Sequence, residues 1–113
     1  MSDCIFCKII QKTIPADIVY ESDSILSFRD INPIGPTHIL VIPKKHIPSF
    51  DNIQAKDFPL LQEMLLTVQK LAKKEGIDSS GYRVITNINA DAGQEVFHMH
   101  IHLIGGKRLG KMG

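Results

Sequence analysis

The chain has 113 residues, enough for one compact domain spanning 1–113 and too few for a second core. Apolar residues make up 43% and the formal charge is +1, with acids and bases interleaved, which is far from a membrane composition and argues against a protein that coats nucleic acid. A domain this small buries only roughly two-thirds of the surface its unfolded chain exposes, so a second copy or a bound metal ion is expected to help it.

The start, Met1-Ser2-Asp3-Cys4, has neither a basic region nor a long apolar run, and the reading is a cytoplasmic protein without a secretory signal. Asp3 is placed to cap a short helix from about Cys4 to Gln11, which must end before Pro15. Two short strands follow near Ile18-Val19-Tyr20 and Ile25-Leu26-Ser27-Phe28, joined by the polar turn Glu21-Ser22-Asp23-Ser24. Asp30 to Pro36 holds two prolines and a glycine and reads as a loop. His38 to Pro43 reads as a buried strand; its Ile39-Leu40-Val41-Ile42, the longest apolar stretch, is far too short to span a membrane. The long helix opens at Asp57, tolerates Pro59 in its first turn, and places Leu61, Leu65, Val68, Leu71 and Ala72 at helical spacing. Lys70, Lys73, Lys74 and Glu75 give its wet face, and Gly76 ends it. Two more strands are predicted near Tyr82 to Asn87 and His98 to Ile104. Strands on both sides of a single long helix predict an α+β fold: an antiparallel sheet of about five strands, one long helix and a short N-terminal helix.

Three of the chain's five histidines alternate in His98-Met99-His100-Ile101-His102. On a strand, side chains two apart share a face, at intervals of roughly 6.6–6.8 Å. A single histidine on an exposed strand face needs no function; three in register, with Met99 and Ile101 filling the other face, point to one. Imidazole titrates near neutrality and can act as nucleophile, acid or base. As a nucleophile it can take a phosphoryl group and yield it to water, splitting one displacement into two. The upstream Asp91-Ala92-Gly93-Gln94-Glu95 reads as a loop whose glycine and backbone N–H groups suit developing negative charge.

The run Gly93-Gln94-Glu95-Val96-Phe97-His98-Met99-His100-Ile101-His102-Leu103-Ile104-Gly105-Gly106 resembles the signature of the histidine triad family, in its branch of purine nucleoside phosphoramidases. Further blocks resemble the family in family order: Phe6 to Ile10, Phe28 to Pro33, Pro36 to His46, and Gly81-Tyr82-Arg83. The resemblance implies that His100 is the nucleophile, with His102 and His38 assisting at the phosphate. It implies that Asp30 accepts ribose hydroxyls beside Ile31, and that Asn87, Gly93, Gln94, Glu95 and Val96 surround the ribose and α-phosphate. Phe6, Ile9 and Phe28 are candidates equally for core packing and for walls around a base. Glu95 would repel the α-phosphate unless protonated or turned away, and of these a solvent-facing side chain is expected.

Cys4 and Cys7 lie three apart, so one helical turn brings both thiols to one side. With two histidines they form a familiar tetrahedral zinc set; a redox pair and two idle thiols are the rival readings. The resemblance implies that His46 and His98 complete the set, which also leaves His38, His100 and His102 for chemistry. The expected cofactor is one structural zinc per chain, with no organic cofactor, because four protein ligands leave no position open for water.

The implied function is hydrolysis of adenosine or guanosine 5′-phosphoramidates and related acyl-nucleotides. A dinucleoside polyphosphate hydrolase is the runner-up, and a non-catalytic nucleotide-sensing adaptor the third reading. The partners implied are a purine nucleotide and a second copy of the chain, with no nucleic acid and no membrane.

Overall fold

The computed structural model describes residues 3–112; Met1, Ser2 and Gly113 lie outside the described residues. Its elements run α1 (Ile5–Ile10), β1 (Ile18–Glu21), β2 (Ile25–Arg29), β3 (Thr37–Pro43), α2 (Phe58–Lys74), β4 (Tyr82–Ile85) and β5 (Ile101–Gly105). Single turns of 3-10 helix occupy Phe50–Asn52, Ala55–Asp57 and Ala90–Ala92. The five strands form one sheet in the order β1-β2-β3-β5-β4, and every neighbouring pair is antiparallel. The α+β architecture expected from the sequence is the one observed.

Strand alternation divides the interior into two layers. Ile25, Ile39, Val41, Ile101 and Leu103 pack with Met64, Val68, Leu71 and Ala72 of α2 on one face. Leu26, Phe28, Leu40 and Ile42 pack with Phe6 and Ile9 of α1 on the other. His38 and His102 share the parity of Leu40, so both project into the α1 layer, where the site forms.

Several boundaries differ from the sequence reading. The cap of α1 is Cys4, whose Sγ accepts the N–H of Cys7 at 3.3 Å; Asp3 precedes the cap. Asp57 sits at the start of α2 without a side-chain bond to that helix. Its carboxylate instead accepts the N–H of Gln54 at 3.0 Å and Lys45 Nζ at 2.7 Å, closing the 3-10 turn before α2. The buried stripe of α2 is Met64, Thr67, Val68, Leu71 and Ala72, so Leu65 falls just outside it and is 54% exposed. Gly76 does end the helix: it takes φ 74°, and Ile77 N–H reaches back to Ala72 O.

The last two strands are shorter than predicted. β4 stops at Ile85, leaving Asn87 in a loop, and β5 begins at Ile101, leaving His98 and His100 ahead of the ladder. Ladder bonds to β3 begin at the Val41–Ile101 pair, because β3 ends at Pro43, whose ring nitrogen cannot donate. Side-chain alternation nevertheless continues upstream. Met99 joins the α2 layer, while His98 and His100 pack edge-on against Phe6 of α1 at 5.9 and 5.1 Å between ring centres. Met99 N–H donates to Ile47 O at 2.6 Å and so holds this segment where a strand would lie.

Candidate active site and candidate metal centre

A cleft of about 350 Å³ opens between α1, the loop after β2 and the loop before His98. His100, His102, Asp30, Ile31, Asn87, Gly93, Glu95 and Val96 line it, together with Phe6, Ile9 and Phe28. A larger cavity, about 730 Å³, lies around Pro36, Glu75, Tyr82 and Arg108 and holds none of the histidines. Of the two, the smaller cleft is the one that His100 and His102 line.

Backbone partners fix the protonation of each imidazole. His100 Nδ1 faces the carbonyl of His98 at 2.8 Å, and a carbonyl only accepts, so the proton is on Nδ1 and Nε2 carries the lone pair. His38 Nδ1 accepts the N–H of Ile34 at 3.2 Å, so its proton is on Nε2 and is donated to His102 Nδ1 at 2.9 Å. That leaves His102 with its proton on Nε2. The rings of His100 and His102 lie 5.0 Å apart. A bare nitrogen and an N–H donor thus stand side by side in the cleft.

Electrostatics preserve this arrangement at neutral pH. Burial pushes His100 below the ordinary histidine range. His102 is lowered to about 4, mainly by burial and then by its neighbours His100 and His38, against the pull of Asp30. His38 is lowered by burial, partly offset by Asp30. All three rings are therefore neutral near pH 7. Asp30 Oδ2 lies 3.4 Å from His38 Nε2, and its Oδ1 accepts the N–H of Asn32 at 2.8 Å. Asp30, His38 and His102 are close enough to suggest a cation site. The protonated Nε2 of His38 leaves that trio without the lone pairs a metal needs.

A second cluster could hold a metal ion. Cys4, Cys7, His46 and His98 bring two sulfurs and two nitrogens together from α1, the segment after β3 and the segment before β5. His98 Nε2–H donates to Pro43 O at 2.7 Å, leaving Nδ1 bare and aimed at the other three donors. That Nδ1 is 3.3 Å from Cys4 Sγ, 3.6 Å from Cys7 Sγ and 3.2 Å from His46 Nδ1, while Cys7 Sγ is 3.4 Å from His46 Nδ1. Tetrahedral coordination with metal–nitrogen bonds of about 2.05 Å and metal–sulfur bonds of about 2.3 Å spaces its donors at about 3.3 Å and about 3.6 Å. The donor set fits such an ion. Burial lowers His98 to about 4, which keeps its lone pair available across the neutral range.

The remaining sequence-predicted residues take varied places. Ile31 stands at the rim, 90% exposed, while Phe6, Ile9 and Phe28 are under 10% exposed and face the cleft and the core at once. Core packing and a wall for a base are therefore compatible roles for the same three residues. Glu95 is exposed at the cleft mouth. Gln94 is the one residue of its loop turned into the protein, at 5% exposure. Sequence reasoning missed Ile14, Pro15 and Ala16 on the far wall, and the carbonyl of Pro43 and N–H of Ile34 that set two tautomers. Backbone groups leave no mark in a single sequence, and the Ile14-Pro15-Ala16 turn joins the cleft only through the path of the chain out of α1.

The sequence matches the HIT domain family over residues 11–109. The chain belongs to the histidine triad (HIT) family. It is 48% identical over 110 residues to the purine nucleoside phosphoramidase of Escherichia coli K12, a match covering 97% of this chain and 92% of that one. Among solved structures it resembles a HIT family hydrolase from Legionella pneumophila, with TM-score 0.94, 48% identity and 96% of each chain covered. A histidine triad protein from Clostridium difficile matches with TM-score 0.95 and 45% identity, over 100% of this chain and 98% of that one.

Proposed function

We propose that this histidine triad protein hydrolyses purine nucleoside 5′-phosphoramidates and related acyl-nucleotides through a nucleotidyl-histidine on His100. The observation that carries the reading is the tautomer chain from Ile34 N–H through His38 to His102, beside a His100 whose Nε2 is bare. His100 Nε2 attacks the α-phosphorus, the N–P bond to histidine forms, and the P–N bond to the leaving group breaks as its nitrogen takes a proton from solvent and departs as a neutral amine. The His102 Nε2–H donates to a phosphoryl oxygen as charge builds there. Water then attacks the phosphorus and loses a proton to solvent, which balances the one taken by the amine, and the N–P bond breaks to release the nucleoside monophosphate and restore the neutral imidazole. In this reading Asp30 would accept ribose hydroxyls beside Ile31 and Asn87, and Phe6, Ile9 and Phe28 would flank the base; their common place in the lining of the cleft supports it. The backbone of Gly93, Glu95 and Val96 would border the α-phosphate, with Gln94 turned inward behind them. The test is steady-state turnover on a panel of an adenosine 5′-phosphoramidate, a guanosine 5′-phosphoramidate and a dinucleoside tetraphosphate. Preference for the phosphoramidates supports the reading; preference for the tetraphosphate moves the assignment to a dinucleoside polyphosphate hydrolase. Tight nucleotide binding without turnover marks a sensing adaptor.

In the same reading one zinc ion per chain is held by Cys4, Cys7, His46 and His98 in a purely structural role, and no organic cofactor is needed. The two cysteines are free thiols, which suits a reducing cytoplasm. Among the described residues no helix is long and apolar enough to cross a membrane. Residues 1–113 read as one histidine triad domain, supported by the single sheet that organises both apolar layers.

The chain is further read as a homodimer. β4 is an edge strand, and Val84 on it is 45% exposed beside Leu65 and Leu66 of α2, at 54% and 47%. These residues and Tyr82 share one apolar groove. Pairing two copies of β4 about a two-fold axis would continue the sheet and cover that groove. Light scattering at micromolar concentration is expected to give twice the chain mass, and Val84→Lys to shift it toward the monomer. A monomeric mass for the unmodified protein overturns the dimer.

A further inference from the structure

We propose that Gln94 is a positioning residue that locks the phosphate-facing loop from inside the protein, and does not itself contact the nucleotide. The proposal rests on the reading of the cleft as a nucleotide site. Every hydrogen of the Gln94 amide is already engaged: Nε2 donates to Pro48 O at 2.8 Å and to Val96 O at 3.1 Å. Its Oε1 accepts the N–H of Asn89 at 2.7 Å. The partners dictate this orientation, since two carbonyls require donors and an N–H requires an acceptor. No amide hydrogen is left for a phosphate oxygen.

The three bonds tie together three separate stretches of chain. Asn89 follows β4, Pro48 stands two residues beyond His46, and Val96 borders the cleft. Asn89 takes φ 66° and ψ −175°, a backbone conformation that costs a non-glycine residue energy and persists only where neighbours hold it. Gln94 holds it twice, through the side-chain bond to Asn89 N–H and through its own N–H to Asn89 O at 3.1 Å. Gly93, at φ 87°, completes the tight return between them. Downstream of this clamp, the N–H groups of Glu95 and Val96 have no protein acceptor among the described residues, and both residues line the cleft. The clamp thus fixes two unsatisfied donors at the site where charge develops on a phosphoryl group.

The test uses the full chain with Gln94→Met, which keeps the volume and removes all three bonds, and Gln94→Glu, which turns an oxygen toward two carbonyls. Adenosine and adenosine monophosphate are the binding probes, with amide hydrogen exchange measured on the nucleotide-free protein. In the wild type, Asn89 N–H is expected to be protected before any nucleotide is added, and to lose that protection in Gln94→Met, which has no acceptor there. Adenosine affinity should stay within about two-fold, monophosphate affinity should fall about ten-fold, and kcat should fall on the order of a hundred-fold. Parallel loss of both affinities would reduce Gln94 to a general stabiliser and overturn the proposal. An unprotected Asn89 N–H in the wild type overturns it too, whether or not the variants fold. Equal protection in wild type and variants, with monophosphate affinity alone reduced, would make Gln94 a direct ligand instead. A wild type that binds neither probe removes the functional reading and this proposal together, and the wild-type arm alone identifies that case.

Discussion

His100→Ala is expected to lower kcat on the phosphoramidate by roughly ten-thousand-fold or more, while the affinity for adenosine monophosphate changes little. The asymmetry follows from how the cleft is built. In the proposed reading, binding would be shared among Asp30, Ile31, Asn87 and the aromatic wall that line the cleft, whereas bond formation to phosphorus would need the bare His100 Nε2. His102 cannot replace it, because its Nδ1 lone pair is already taken by His38 and its Nε2 bears the proton. Acid-stable monophosphate and acid-labile nucleotidyl-protein can be separated after rapid quenching. The wild type should show the labile adduct during turnover, and the variant should not. Phe6 packs edge-on to His100, so a melting curve accompanies the kinetics to separate lost chemistry from lost packing. Full activity in a folded His100→Ala protein would remove His100 from the nucleophile's role.

Much of this site is legible in the sequence because strand periodicity is short and strict. Parity alone assigns His98, His100 and His102 to one side and Met99 and Ile101 to the other, and that parity survives even though the ladder begins only at Ile101. Helical spacing is less strict. Leu65 and Met64 are both apolar, and nothing local says which of the two the core takes; the direction in which α2 crosses the sheet buries Met64 and exposes Leu65. The same limit applies to Asp57 and Cys4. Either end of a helix offers several residues able to cap, and the choice is made by tertiary partners, Lys45 and Gln54 for Asp57 and the cluster with Cys7, His46 and His98 for Cys4. Least legible is Gln94: the resemblance implies a place beside the nucleotide, and only the positions of Pro48 and Asn89 turn its side chain inward.

The protein purified under mild conditions is expected to contain about one zinc per chain, and the double variant Cys4→Ser, Cys7→Ser to contain none. Its melting temperature should fall on the order of 10 °C, as for loss of a ligand whose dissociation constant lies far below its free concentration. The serine replacement separates two roles of Cys4. A serine hydroxyl caps a helix at least as well as a thiol, so α1 keeps its N-terminal bond to the Cys7 position while the metal donors disappear. Loss of stability in the variant therefore measures the tie between α1 and the segments carrying His46 and His98. That tie reaches the cleft through Phe6, which sits two residues from Cys4 and packs against both His98 and His100. Substrate KM should consequently rise more than kcat falls, because the wall that Phe6 and Ile9 provide loosens while the His100–His102 pair stays on its own hydrogen bonds. Protein that is metal-free as isolated, or a double variant that retains a full equivalent of zinc, overturns the assignment, since no other described cluster offers two thiolates to a soft-tolerant tetrahedral ion.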